Sequence, residues 1–394
     1  MLYYLSTEIF RHLSLRIAGA AITAFLMGLA LVPLVIRYGR RRGFKDREGK
    51  THSIKLNELH AKKKDTPVLG GLAILAASLG AMALWAKVLN FYVLLMAGTL
   101  VALGTLGLTD DFVKTFGRDK KEGLTPKQKL FAQIGVGLAI GALLVLFYDG
   151  FTPLGVSPTY AATMATAEAG SDASVAVIAD TAPAAVGRDM LGLTVPCTKW
   201  TIPLGAFLFV AFTTLVITGS SNAVNLTDGL DGLAGGCFTL AIVVQGVFAY
   251  VASRADWCAD LGLQHVPGAG EVAVCCAALA GGTIAFVWFN AHPAELFMGD
   301  AGSLPLGGSI ALVAIITKHE LLLPFVAIVF VAEALSVMAQ VAFFKLTKKR
   351  LLACAPLHHH FEFQGWPETK VVIRFWIVAG LAALASLATL AVRS

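Results

Sequence analysis

IPLGAFLFVAFTTLVITGSSNAVNLTDGLDGLAGGCFTLAIVVQGVFAYVA, Ile202 to Ala252, consists of two long apolar runs separated by a short stretch rich in asparagine, aspartate and glycine. Each run approaches the roughly 20 residues that an α-helix needs to cross a bilayer. Two such runs joined by a short polar connection predict a pair of membrane helices. The polar connection then has to lie at a membrane surface.

The same pattern continues in both directions. Apolar runs are expected to form ten spans, at about 17–36, 68–86, 91–108, 130–148, 202–219, 233–252, 272–289, 303–317, 321–344 and 371–392. The composition agrees, with 57% hydrophobic and only 14% charged residues across 394 positions. Mean hydropathy is +0.73, and soluble domains carry about 25% charged residues. The fold class predicted is therefore an all-α integral membrane protein, 1–394 as one polytopic unit. Arg11 and Arg16 precede the first run as they would in a signal peptide, but no secreted domain follows, so that run is read as a retained helix. The six cysteines form no CxxC pair and are read as small buried hydrophobes.

With ten spans the loops alternate sides, and lysine plus arginine counts orient them. The loops after the first, third and ninth spans carry 11, 6 and 5 such residues, against 8 in all loops and tails of the opposite side. The basic loops are assigned to the cytoplasm and both termini to the outside. Residues 149–200 form an extended outer loop that includes the Ala-rich run AATMATAEAGSDASVAVIADTAPAAVG. It is read as an insertion with little chemistry of its own. The basic residues lie beside membrane spans, so lipid rather than nucleic acid is the expected polyanion.

The polar clusters all fall in the cytoplasmic loops. LTDDFVKTFGRDKKEGLTPKQK, from Leu108 to Lys129, puts Asp110 and Asp111 side by side at a predicted helix end, with Lys114 one turn on. Adjacent carboxylates repel unless they are solvated or meet cations, and Mg²⁺–phosphate sites use one or two such groups. NAVNLTDGLDGLAGG adds Asn222, Asn225, Asp228 and Asp231, the two aspartates sharing a face if the segment is helical. NAHPAELFMGDAGSLPLGG adds Phe297 and Asp300, for which a plain N-cap is the alternative. PLHHHFEFQGWPETK holds His358, His359 and His360; in an extended loop the first and third point together, which suits phosphate binding better than a three-histidine metal site. HAKKKDTPVLGG supplies Lys62 and Thr66, where anchoring to anionic lipid is the alternative. Glu333, inside the ninth span, is either functional or a local helix contact. Carboxylates together with lysines and histidines suit a phosphorylated substrate, because phosphoryl transfer depends on positioning and charge neutralisation.

These motifs, TDDFVK, NAVNLTDGLDGLAGG, FMGDAGSLPLGG and PLHHHFEFQGWPETKVVIRFW, resemble those of the bacterial phospho-N-acetylmuramoyl-pentapeptide-transferase family. The aspartate motifs alone indicate the wider superfamily of polyprenyl-phosphate sugar-1-phosphate transferases, and PLHHHFE narrows the choice. The resemblance implies a ten-helix inner-membrane enzyme, dimeric, with periplasmic termini. It would move phospho-MurNAc-pentapeptide from UDP-MurNAc-pentapeptide to undecaprenyl phosphate, giving lipid I and UMP with Mg²⁺. Carried over by resemblance, Asp110, Asp111, Asp300 and His359 are catalytic, the three aspartates also holding the metal. Lys62, Thr66, Lys114, Lys121, Lys129, Asn222, Asn225, Asp228, Asp231, Phe297, His358 and His360 line the substrate. Asp65 and Pro305 depart from the usual pattern, the latter being acceptable in a first helical turn. A GlcNAc-1-phosphate transferase is the nearest rival. A secondary transporter is disfavoured because its acids would line a midplane path between inverted repeats, and a scaffold with a dead site because every key acid is present.

Overall fold

The apolar runs fold as helices. The computed structural model describes residues 2–5, 8–44, 66–116, 123–148, 191–198 and 200–392. Eight helices within these residues are long and apolar enough to cross a membrane: α1 (Leu13–Arg42), α3 (Phe91–Phe116), α4 (Pro126–Tyr148), α5 (Gly205–Thr227), α6 (Leu233–Ala252), α8 (Gly270–Asn290), α11 (Ile328–Thr347) and α13 (Glu368–Val392). Two shorter apolar helices, α2 (Gly70–Trp85) and α9 (Asp300–Ile316), occupy the places of the second and eighth predicted spans. Short helices α7 (Ala255–Asp260), α10 (Leu323–Val326) and α12 (Leu357–Phe363) complete the set. The only sheet among the described residues is a hairpin, β1 (Gly192–Thr194) paired antiparallel with β2 (Thr201–Pro203), Leu193 opposite Ile202. The protein is thus an all-α, multi-pass membrane protein.

Helix α9 is the centre of the bundle. At about 1.5 Å per residue it is roughly 25 Å long, and every one of its residues is buried. It packs against α3, α5 and α2. The approach to α3 is set by Gly107, where a Cβ would collide with the Asp300 carbonyl, and that to α2 by Gly71, where a Cβ would strike the Gly302 amide. Close backbone contact between membrane helices requires small residues at the crossing. Here that contact also brings the N-terminus of α9 against α3 at the level of Asp110 and Asp111.

Hydrogen bonds show which ends of the helices lie together. Asn225 at the end of α5 reaches Asp300 at the start of α9, and Glu368 at the start of α13 accepts the Asp231 N–H between α5 and α6. The loops carrying the sequence motifs therefore share one end of the bundle. At the other end, Arg16 near the start of α1 makes a two-pronged buried pair with Glu271 of α8, at 2.7 and 2.8 Å. The Lys87 N–H also donates to Glu271, so the charge at that end is paired and hydrogen-bonded, as burial demands.

Four local expectations change. The ninth apolar run is not one helix: Ala327 (φ −101°, ψ 30°) separates α10 from α11. Asp110 and Asp111 lie within α3, which continues to Phe116 rather than ending before them. Pro305 sits in the second turn of α9, since the helix already begins at Asp300. The fifth run begins as strand β2, and its helix starts only at Gly205.

Candidate active site

The carboxylates of Asp110, Asp111 and Asp300 converge, with ligand oxygens within 4.8 Å of one another and all three residues buried. Three acids so close are stable only with compensating charge and hydrogen bonds. Two ammonium groups supply the charge. Lys114 Nζ lies 2.6 Å from Asp110 Oδ2 and 3.3 Å from Asp300 Oδ2. Lys129 Nζ, from the first turn of α4, lies 2.7 Å from each of the same two oxygens. Lys114 reaches back from α3 one turn beyond Asp110, the spacing at which helix side chains meet.

Hydrogen bonds fix the rest of the cluster. The Leu124 N–H donates to Asp110 Oδ1 at 2.7 Å, and Asn225 Nδ2 donates to Asp300 Oδ1 and to Ser303 Oγ, both at 2.8 Å. Asp111 does something the sequence did not suggest. It accepts the N–H groups of Asp300 (3.3 Å) and Ala301 (3.0 Å), and so caps α9 from a neighbouring helix. Free N–H groups and the helix dipole favour a carboxylate at that place. The N-cap reading of Asp300 is thereby corrected: Asp300 is the first residue of α9, and the capping acid is Asp111.

Asp228 follows α5 and is half-buried as a residue, while its carboxyl group is enclosed among the other acids. Burial, followed by the charges of Asp300 and Asp111, pushes that carboxyl up to about 8, against the opposing effect of the Gly299 N–H. Asp231 goes elsewhere. Helix α5 ends at Thr227 and α6 begins at Leu233, so the two aspartates are not on one helical face as expected. Asp231 Oδ2 instead meets His292 Nδ1 at 3.0 Å and the Ala294 N–H at 3.2 Å.

The histidine run is helical, not extended, and the His358 and His359 rings meet edge to face, 4.1 Å between centroids. His358 is buried, with Nδ1 3.1 Å from Glu333 Oε2 and its backbone N–H donated to the same carboxylate. Glu333, which the sequence left open, thus joins α11 to α12, 25 residues further on. Opposite Glu333, the His358 ring packs on Gly229, where a Cβ would collide with Nε2. This contact ties the histidine helix to the loop carrying Asp228. His359 Nδ1 faces Glu362 at 2.7 Å, and His360 Nδ1 accepts the Ala353 N–H.

Other expected residues are placed as follows. Asn222 donates to Gln133 Oε1 and joins α5 to α4 rather than entering the acid cluster. Phe297 is half-buried in a segment laced to the stretch after Thr66, its N–H donating to the Pro67 carbonyl and its carbonyl accepting from Gly70. Thr66 is half-buried at the start of that stretch. Lys62 and Lys121 lie outside the described residues. Sequence reading missed Ser303, His292 and Glu368, although each sits inside a quoted motif. The signal available for Ser303 and His292 was polarity within otherwise apolar or glycine-rich surroundings, whereas Glu368, followed by Thr369 and Lys370, has no such contrast.

An all-oxygen donor set of clustered carboxylates fits a hard divalent cation, and the lysine ammonium groups now stand among those oxygens as cations of another kind. Metal or lysine can neutralise the acids, and phosphate can in turn attract the lysines.

Comparison with known proteins places these residues in a family. Residues 92–318 match the family described as glycosyl transferase family 4. Curated relatives named phospho-N-acetylmuramoyl-pentapeptide-transferase include one from Gemmatimonas aurantiaca, 39% identical with both chains covered in full. Another, from Koribacter versatilis, is 42% identical over 98% of this chain and 95% of its own. A third, from Desulforapulum autotrophicum, is 41% identical over 100% and 99%.

Proposed function

The chain belongs to glycosyl transferase family 4 and, within it, to the phospho-N-acetylmuramoyl-pentapeptide-transferases, and from that premise we propose how its acidic pocket works. The protein is a transferase that moves phospho-MurNAc-pentapeptide from UDP-MurNAc-pentapeptide to undecaprenyl phosphate. The products are lipid I and UMP, in the first membrane step of peptidoglycan synthesis. The observation that carries this reading is the convergence of Asp110, Asp111 and Asp300 with Lys114 and Lys129. Acids for a metal and cations for phosphates are thereby held in one buried place.

A lipid phosphate oxygen attacks the sugar-linked phosphorus. As that bond forms, the bond from the same phosphorus to the bridging oxygen breaks, and UMP departs with that oxygen. The lipid phosphate is largely ionised near neutral pH if its second pKa resembles the roughly 6 of a phosphomonoester, so no side chain has to act as a base. Asp110 and Asp300, together with Asp111, would hold Mg²⁺, which when bound neutralises charge on the departing phosphate. Lys114 and Lys129, released from the carboxylates, turn to the phosphate oxygens. Asn225 keeps Asp300 oriented through its shared bond with Ser303. Asp228 and Phe297 line the nucleotide side. Glu333 and Gly229 hold His358, and with it the helix carrying His359 and His360, beside that pocket.

The site lies at the cytoplasmic face of the bacterial inner membrane, with both termini periplasmic, because the strongly basic loops adjoin it. The enzyme works as a homodimer in the bilayer. Purified protein in detergent, given undecaprenyl phosphate and UDP-MurNAc-pentapeptide, is expected to release UMP only with Mg²⁺, and Asp300→Asn is expected to lose that release. Turnover of UDP-GlcNAc in place of the muramyl substrate would move the protein to the GlcNAc-1-phosphate transferases, and release from neither would overturn the reading.

A further inference from the structure

A second group of ligand-bearing side chains lies at the same end of the bundle, on three separate chain segments. Asp231 comes from the loop between α5 and α6, His292 from the loop after α8, and Glu368 from the first residue of α13. His292 Nδ1 is 3.0 Å from Asp231 Oδ2 and 3.5 Å from Glu368 Oε2. One ligand atom from each of the three lies within 4.8 Å of the others. Ligands bound at about 2.0–2.2 Å to a tetrahedral ion are separated by about 1.63 times that length, roughly 3.3–3.6 Å. The His292–Glu368 separation matches that edge, and the His292–Asp231 separation is a hydrogen bond about 0.3 Å shorter that an ion would open.

We propose that Asp231, His292 and Glu368 form a binding site for one borderline divalent ion of the zinc class, with water as the fourth ligand. The donor set decides the ion. An imidazole nitrogen with two carboxylates suits Zn²⁺, Co²⁺ or Ni²⁺, whereas Mg²⁺ prefers an all-oxygen set such as the Asp110 cluster. Burial is graded as an entry path requires: side-chain exposure is 1% for Asp231, 12% for Glu368 and 43% for His292. The deep ligands are held by the backbone. Glu368 Oε1 accepts the Asp231 N–H at 2.7 Å, and Asp231 Oδ2 accepts the Ala294 N–H at 3.2 Å. Asn290 braces the same two loops, accepting from Gly232 and donating to the Leu296 carbonyl. Such outer hydrogen bonds orient metal ligands before an ion arrives. An ion here ties the Asp228–Asp231 loop to the foot of α13.

The test uses untagged full-length protein, stripped with a chelator and dialysed against Co²⁺ or Zn²⁺ in excess Mg²⁺, so that the all-oxygen site is already filled. Wild type is expected to bind one Co²⁺ per chain with the visible absorption of a tetrahedral complex, and to melt at a higher temperature with the ion. His292→Ala is expected to weaken binding at least tenfold and to lose the thermal response, while Asp300→Asn retains both. Glu368→Gln serves as the second variant should His292→Ala fail to fold. Equal binding in wild type and both site variants would overturn the proposal, as would loss of binding in Asp300→Asn. None of these measurements depends on the transferase reaction.

Discussion

Two three-ligand clusters lie at one end of this bundle and solve the problem of crowded acids differently. In the Asp110, Asp111 and Asp300 cluster, lysine ammonium groups and helix N–H groups compensate the charge. In the Asp231, His292 and Glu368 cluster, an imidazole stands between the carboxylates. An ammonium on a long stem can exchange a carboxylate for a phosphate within one site, so the first cluster is suited to turnover. The imidazole joins side chains from three chain segments, so the second is suited to holding them.

The strongest way to break this contrast is to remove one acid from each. Asp300→Asn is expected to lower UMP release by about 1000-fold, the scale on which placed charge acts in transfer reactions. Glu368→Gln can still accept the Asp231 N–H and is expected to cost roughly tenfold at most, consistent with a net contribution of about 1 kcal/mol per hydrogen bond. Comparable losses from the two variants would erase the distinction.

A smaller effect sharpens it. If the lysines stand in for the cation, Lys129→Met leaves the acids under-neutralised, so Mg²⁺ should half-saturate the enzyme at a lower concentration. The maximal rate should fall about 10- to 100-fold, because a phosphate contact is lost. A magnesium titration reads both, and an unchanged half-saturation point would sink the stand-in idea.

The smallest effect concerns protons. The Asp228 carboxyl is raised above its ordinary range to about 8, so its contribution to stability is fully present below about pH 4 and is lost as pH rises toward 8. Thermal melts of magnesium-free protein should therefore fall between pH 5 and pH 8 in wild type and fall less in Asp228→Asn. Parallel curves would count against the raised value.

Much of the fold was legible because a bilayer imposes length and apolarity on each crossing, so the runs beginning near Ile17, Phe91 and Leu233 all became helices. The aspartate motifs were legible because acids are rare among such runs. What escaped was set by contacts between distant segments. That Asp111 caps a helix 189 residues away leaves no local trace. The parting of Asp228 from Asp231 follows from where α5 stops, and the helical histidines follow from packing on Glu333 and Gly229. A break at Ala327 inside a continuous apolar run cannot be read from apolarity alone.

The glycine at 107 gives the pocket its tolerance. Because α3 and α9 meet there backbone to backbone, the gap between the acids on the two helices is inherited from the bundle core and not from the acids themselves. Adding one methyl group at that crossing would act as a spacer inserted at a hinge, one turn below the chemistry. The carboxylates would keep their identity and their charge while losing their alignment, so a substitution that touches no reacting group could silence the site from inside the membrane.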